Sequence, residues 1–199
     1  MILTLVLLAN LWIYKILFAN FILGVLVIIC TILLYKGSKL FLLAFVLLLV
    51  FQVKTTRIYS LTNIANDDRR LIDLRLRAYP SKYLRVGHWL EERKESIALG
   101  RITRNLFENL DPNLYFFANH PRERVGIKEF EKFHFIFLAF FLFGLFDLIA
   151  ARQWLSISLS FLLPLLILSF VGSQNILGPF SVFPFVAVCI TTGVKKYFG

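Results

Sequence analysis

The chain has 199 residues, is 58% hydrophobic and carries a formal charge of +10, with a mean hydropathy of +0.74. With so much apolar sequence the basic balance suits anionic lipid headgroups and argues against nucleic acid as a partner, and no run of five like charges makes a basic tail. Both cysteines, Cys30 and Cys189, fall in apolar segments, which excludes a disulfide framework or a thiol metal site in the polar part of the chain.

A soluble domain carries roughly 45–50% apolar residues, and the excess here is segregated. Residues 1–53 hold only Lys15, Lys36 and Lys39 as charges, and residues 133–194 only Asp147 and Arg152, beside His134. Two apolar blocks flanking a charged one predict an all-α polytopic membrane protein with about six transmembrane helices. Residues 1–53 form an amino-terminal block of three short spans. Residues 54–132 form a charged helical cap between spans three and four, and residues 133–199 form three further spans with a short basic tail.

Met1–Tyr35 is one apolar run, interrupted chiefly by Asn10, Lys15 and Asn20. As a single helix it would be about 52 Å long, against a hydrocarbon core roughly 30 Å thick. Two short spans joined near Lys15–Asn20 fit better, with the Lys15 ammonium reaching to the interface. No basic stretch precedes the run, so it reads as a retained membrane segment and not as a cleaved signal. The turn-like YKGSK (Tyr35–Lys39) leads into the third span, Leu40–Val53.

The cap carries 16 Lys/Arg against 11 Asp/Glu, a net of +5. Asn66, Asp67 and Asp68 make a helix start, predicting a helix from about Asp67 to Ala78, before Pro80. From Ser81 to Leu110 the phase of the apolar residues changes. Tyr83, Val86, Trp89 and Leu90 share one face, and Leu99, Ile102, Leu106 and Leu110 would fall nearly opposite on an unbroken helix. Two helices, roughly 82–94 and 97–110, bring both sets to one core. Asp111-Pro112 then ends the second helix. So small a cap is marginal by itself and is expected to rest on the membrane or on the span ends.

The stretch LDPNLYFFANHPRERVG (Leu110–Gly126) is the most chemically suggestive loop. Tyr115, Phe116 and Phe117 beside Arg122 and Arg124 are what a headgroup-level surface favours, with rings at the interface and guanidinium groups on phosphate. An alternative reading uses the same cations to hold a phosphate-bearing, lipid-linked substrate of a transferase or hydrolase, with His120 or Glu123 as general base or acid. Asn119-His120 shares two residues with the NHxxxxD motif of glycerolipid acyltransferases, but position 125 is Val125 and that family is rejected. Asp67-Asp68 lacks the third carboxylate of a DDxxD magnesium–diphosphate site, because position 71 is Leu71. Helix capping accounts for the pair. No histidine spacing suits a metal, and no cofactor motif occurs.

The later spans are Phe133–Ala150, Trp154–Val171 and Ile176–Val194, separated by Arg152 and by GSQN (Gly172–Asn175). Asp147 is the one intramembrane carboxylate, a functional candidate by default, although Arg152 lies five residues on and offers an interfacial partner. Pro179 and Pro184 could break the sixth helix as in a small transporter. Counting crossings puts YKGSK, the Arg152 turn and the Lys195–Lys196 tail on one side, and Lys15, the cap and GSQN on the other. Basic short loops face the cytoplasm, so both termini are expected inside and the cap outside the cell membrane. The leading functional expectation is an accessory or interaction protein, not an enzyme, whose cap binds anionic lipid or a membrane-protein partner.

Overall fold

The computed structural model describes residues 1–56, 61, 66–117, 130–172 and 175–198. Among the described residues the fold is all-helical, with 78% of them in helices and no strand. One helix, Trp154–Val171, is long and apolar enough to cross a membrane, and the bent pair Ile2–Leu8 and Leu11–Ala19 passes the same criterion together. The helices at the other expected spans are apolar but shorter, at 15 residues for Phe21–Tyr35, 15 for Phe41–Thr55 and 14 for Phe137–Ala150. Six full-length spans are therefore not what the helices display.

The amino-terminal run divides twice, at Asn10 and at Asn20. Helix α1 (Ile2–Leu8) turns by 62° into α2 (Leu11–Ala19), and α3 (Phe21–Tyr35) follows after a single residue. The physical cause is amide capping. Asn10 Oδ1 accepts from Ile13 N at 3.1 Å, and Asn20 Oδ1 accepts from Leu23 N at 3.1 Å. Each bond satisfies an N–H that a helix start otherwise leaves orphaned, so a new helix begins without glycine or proline. Helix α3 ends on Gly37 at φ 65°, where Gly37 N bonds to Leu34 O and Ser38 N to Leu33 O, both at 3.0 Å. This is the left-handed terminator that glycine adopts without a Cβ penalty. Helix α4 (Phe41–Thr55) returns along α3.

The charged middle block forms α5 (Asn66–Ala78), α6 (Leu84–Glu91), α7 (Lys94–Leu110) and the one-turn α8 (Pro112–Phe116). The break between α6 and α7 falls at Glu92–Arg93, slightly before the expected Glu95–Ile97. The shared core expected for these helices is not present. Tyr83, Val86, Trp89, Leu90 and Leu99 are exposed, and Leu76 is the buried hydrophobic among the described residues of α5 to α7. Instead α7 packs along the end of the long Trp154–Val171 helix, where Asn105 Nδ2 donates to Ser169 O at 3.0 Å.

Helix α9 (Phe137–Ala150) leads through a tight turn into α10 (Trp154–Ile157), a π turn (Ser158–Leu162) and α11 (Leu163–Val171), which form one continuous helix. The π turn has a local cause: Pro164 has no N–H for the Ser160 carbonyl, and Leu163 N pairs five residues back with Ser158 O. Helix α12 (Phe183–Phe198) is the centre of the bundle, buried from Phe183 through Thr191. Its closest neighbour is α9, and the approach is set by Gly144 and Gly193. An added Cβ on Gly144 would lie 2.6 Å from the Cys189 carbonyl carbon, and one on Gly193 would lie 2.8 Å from that of Phe140. The two backbones touch where only hydrogen fits, a contact type that apolar bundles favour.

Candidate functional site

The helices sort their connections to two ends. At one end stand Lys15 over the Phe130 ring at 3.5 Å, Thr55 and Thr56 at the close of α4, Tyr115 of α8, the start of α9 and Asn175. At the other end, Tyr35, Asp147, Ala151 and Gln153 line one cleft with Thr192 of α12.

The first end is built around a non-helical segment, residues 175–182, where the sequence predicted helix from Ile176. Phe180, Ser181 and Val182 are fully buried there, so their backbone needs partners from protein. Side chains from distant helices supply them. Trp12 Nε1 donates to Leu177 O at 2.6 Å. Gln52 Nε2 donates to Gly178 O at 3.4 Å and to Thr56 Oγ1 at 3.2 Å, while Gln52 Oε1 accepts from Ser181 N at 3.0 Å. Asn175 Nδ2 donates to Thr55 Oγ1 at 2.9 Å, and Asn175 Oδ1 accepts from Leu177 N at 2.9 Å. Pro179 sits in this segment and Pro184 in the first turn of α12, so neither breaks a helix. The prolines delay the helix start, and the expected mid-helix break is corrected accordingly.

The stem of the suggestive loop docks against this knot. Asp111 caps α8 through Asn113 N at 2.9 Å, with Pro112 at the first helical position, where a missing N–H costs nothing. Leu114, Tyr115 and Phe116 are buried, and Phe117 is 40% exposed. Tyr115 and Phe116 therefore do not stand at a headgroup surface. Trp12 lies 6.2 Å from Tyr115, 5.8 Å from Phe133 and 5.2 Å from Phe183 between ring centroids, and Phe116 lies 5.5 Å from Phe141. The bundle, not the cap, supplies the pocket that the sequence argument lacked. Phe133 N donates to Tyr115 O at 2.8 Å, and the buried Lys132 places Nζ 2.8 Å from Leu114 O. These bonds close the base of the loop. His120, Arg122, Glu123 and Arg124 lie outside the described residues.

At the second end a cleft of about 160 Å³ is lined by Tyr35, Asp147, Gln153, Ser156, Ser160 and Thr192, with Phe185 and Val188 behind them. Asp147 pairs with Lys196 of α12, not with Arg152. Arg152 is turned away into the left-handed region at φ 54°. Ser160, buried in the π turn, donates to Ser156 O at 2.5 Å. Here the carboxylate is neutralised by an ammonium and the hydroxyl by a carbonyl, an arrangement that ties helix ends together. Among the described residues no group of three or more His, Cys, Asp or Glu could hold a metal ion.

The residues missed in the sequence are Trp12, Gln52, Lys132 and Asn175. Their signal was a hydrogen-bonding side chain within or beside an apolar run, which marks a buried partner to be found elsewhere in the chain. Comparison with protein-family models, with curated proteins and with solved structures finds nothing that matches this chain.

Proposed function

We propose that the chain is a multi-pass membrane protein of accessory or interaction type. In this reading α1–α2, α3, α4, α9, α10–α11 and α12 are its six membrane segments, and the charged middle block lies outside the cytoplasm. The observation that carries it is the sorting of charge between the two ends. Tyr35 of the YKGSK turn, Ala151 and Gln153 beside Arg152, and the paired Lys196 gather at one end. Lys15 meets Phe130 of the middle block at the other. Short basic loops collected on one side are the charge pattern of a cytoplasmic face.

The helix surfaces support a lipid environment. Helix α4 buries Phe41, Phe45, Leu48 and Leu49 yet exposes Leu42, Leu43, Val46, Leu47 and Val50. A helix apolar all round needs apolar surroundings on its outer side too. Among the described residues α5 to α7 bury a single hydrophobic side chain, Leu76, which suits a module that works against a surface. Arg122 and Arg124, in the loop whose base is closed over the bundle, are assigned to anionic headgroups or to a membrane partner.

Two measurements test this. A single cysteine at exposed Glu95 is expected to react with a membrane-impermeant thiol reagent on intact cells, and one at Lys39 only after lysis. Both native cysteines are buried and give the blank. The reverse pattern overturns the orientation, and equal reaction at both overturns the spanning arrangement. Arg122→Ala with Arg124→Ala is expected to lower retention of the detergent-purified chain on vesicles rich in anionic lipid. Unchanged retention sinks the assignment of those arginines.

A further inference from the structure

Helix α6 has three faces with different fates. Its inner face, at Gly87, lies against the Tyr79 ring, where an added Cβ would sit 3.0 Å from Tyr79 Cγ. Glu91 turns to the same side, held by Arg75 Nη1 at 3.3 Å and Tyr79 Oη at 3.3 Å. On a second face His88 Nδ1 meets Glu92 at 3.1 Å. The third face carries Val86, Trp89 and Leu90, continued backwards by Tyr83, and all four are between 42% and 59% exposed. The Arg93 guanidinium lies 4.6 Å over the Trp89 ring on this open side. Exposed Lys82, Arg85 and Lys94 flank it, while both carboxylates of the helix are occupied on the other faces.

Helix α7 repeats the pattern. One side packs along α11 through Asn105 and Ser169, and the adjoining side exposes Leu99 and Phe107. On α11 itself Leu166 and Phe170 stand exposed. The open apolar strip of α7 thus belongs to a helix that packs along the one long enough to cross a membrane.

We propose that α6 and α7 lie in the interfacial plane of the chain's own membrane, with Tyr83, Val86, Trp89, Leu90, Leu99 and Phe107 in the headgroup–acyl boundary and Lys82, Arg85, Arg93 and Lys94 on anionic phosphates. An apolar face rimmed by cations, with tryptophan and tyrosine at its edge, has the chemistry of a helix that rests on an anionic leaflet. This deepens the membrane reading above and depends on it. The occupant is a bilayer surface and not a second protein, because four cations flank the α6 strip while the carboxylates of Glu91 and Glu92 are paired on the other faces, leaving Glu95 of α7 as an exposed acid nearby. The α6 helix also packs against α7, which lies along the helix that crosses the bilayer in that reading.

The test uses the full chain in vesicles containing anionic lipid, with a single added cysteine carrying an environment-sensitive fluorophore. At Val86→Cys the emission is expected to shift to the blue and to be quenched by lipids spin-labelled near the headgroup. At His88→Cys, on the opposite face, it is expected to stay water-like and unquenched. Arg85→Glu combined with Lys82→Glu is expected to remove the blue shift at Val86→Cys. Equal, water-like signals at Val86 and His88 overturn the proposal. So does a shielded but unquenched signal at Val86, which would place a protein partner or a second copy on the face. A label at Leu166→Cys separates the two readings. Quenching there by deeply labelled lipid with none at Val86 sinks the interfacial helices alone, and no quenching at either sinks the membrane arrangement itself.

Discussion

Replacing Gly144 with alanine is the sharpest steric test of the bundle. The new Cβ would overlap the Cys189 carbonyl oxygen, and it would lie 2.6 Å from the carbonyl carbon and 3.0 Å from Gly193 N. Ordinary van der Waals contact begins near 3.4 Å, and the carbonyl oxygen is the nearest obstacle, so the two helix backbones must part by more than an ångström along their closest line. That separation also loosens the ring contacts that Phe141 makes with Phe185 and Phe116. Overpacking of this kind costs about 1–3 kcal/mol, occasionally more, and a backbone obstacle cannot relax by changing rotamer. Gly100 provides the opposite case, because it sits inside α7 with nothing within 4 Å of an added Cβ. Alanine there is expected to stabilise by up to about 1 kcal/mol through helix propensity. Unfolding of both variants in mixed detergent micelles, followed by circular dichroism, gives the two free energies. Gly144→Ala as stable as the parent chain would refute the close crossing of α9 and α12.

Three further outcomes follow from named contacts. Gln52→Leu leaves the buried Ser181 N–H without its acceptor and Gly178 O without its donor, and unsatisfied groups of this kind cost about 1–3 kcal/mol each. The same unfolding assay reads the loss, and an unchanged midpoint would mean that the 175–182 segment is held by something else. Trp12→Phe keeps most of the ring packing but removes the bond to Leu177 O, so a smaller loss of about 1 kcal/mol is expected. Indole emission compared between this variant and the parent reports whether Trp12 was in an apolar site. Arg152→Gly should stabilise the chain by roughly 1 kcal/mol, since a side chain in the left-handed region costs about 1–2 kcal/mol and glycine returns part of that as chain entropy. Gly37→Ala, at φ 65° in the equivalent turn, should cost a similar amount, and equal stabilities across the pair would disprove the strain.

Much of the architecture was readable because lipid-like and water-like residues are separated along the chain. The helices over 66–78, 84–91 and 94–110 follow from start signals and a change of phase. The division of residues 1–35 was less legible. Asn10 and Asn20 were visible as polar interruptions, but a single junction was placed near Lys15–Asn20. An asparagine in an apolar run interrupts a helix differently, by giving the next turn an acceptor that water would otherwise supply. The segment 175–182 was illegible for another reason. Its partners, Trp12 and Gln52, stand 165 and 129 residues away, and no local window can show that a stretch of backbone will be satisfied from so far.

The loop Leu110–Gly126 shows how one assumption misplaced two side chains. Four consecutive bulky residues cannot share one face of a regular element, and the cap has too few apolar positions to enclose them. That reasoning assigned Tyr115 and Phe116 to a lipid surface because it required the cap to bury its own aromatics. The bundle's rings, from Trp12, Phe133, Phe141 and Phe183, enclose them instead. The reverse error befell α6, whose Val86, Trp89 and Leu90 were assigned to a core. Periodicity shows that a helix has an apolar face, and it does not say what covers that face. The cover is decided by inventory: the cap offers one buried leucine among the described residues of α5 to α7, Leu76, so among the described residues nothing fills the α6 face. Its cations lie on the open side, and its acids are tied elsewhere. Charge placement then discriminates where hydrophobicity alone does not. An apolar face that awaited a protein core would gain nothing from a rim of lysine and arginine, whereas a face on an anionic leaflet gains at every one of them.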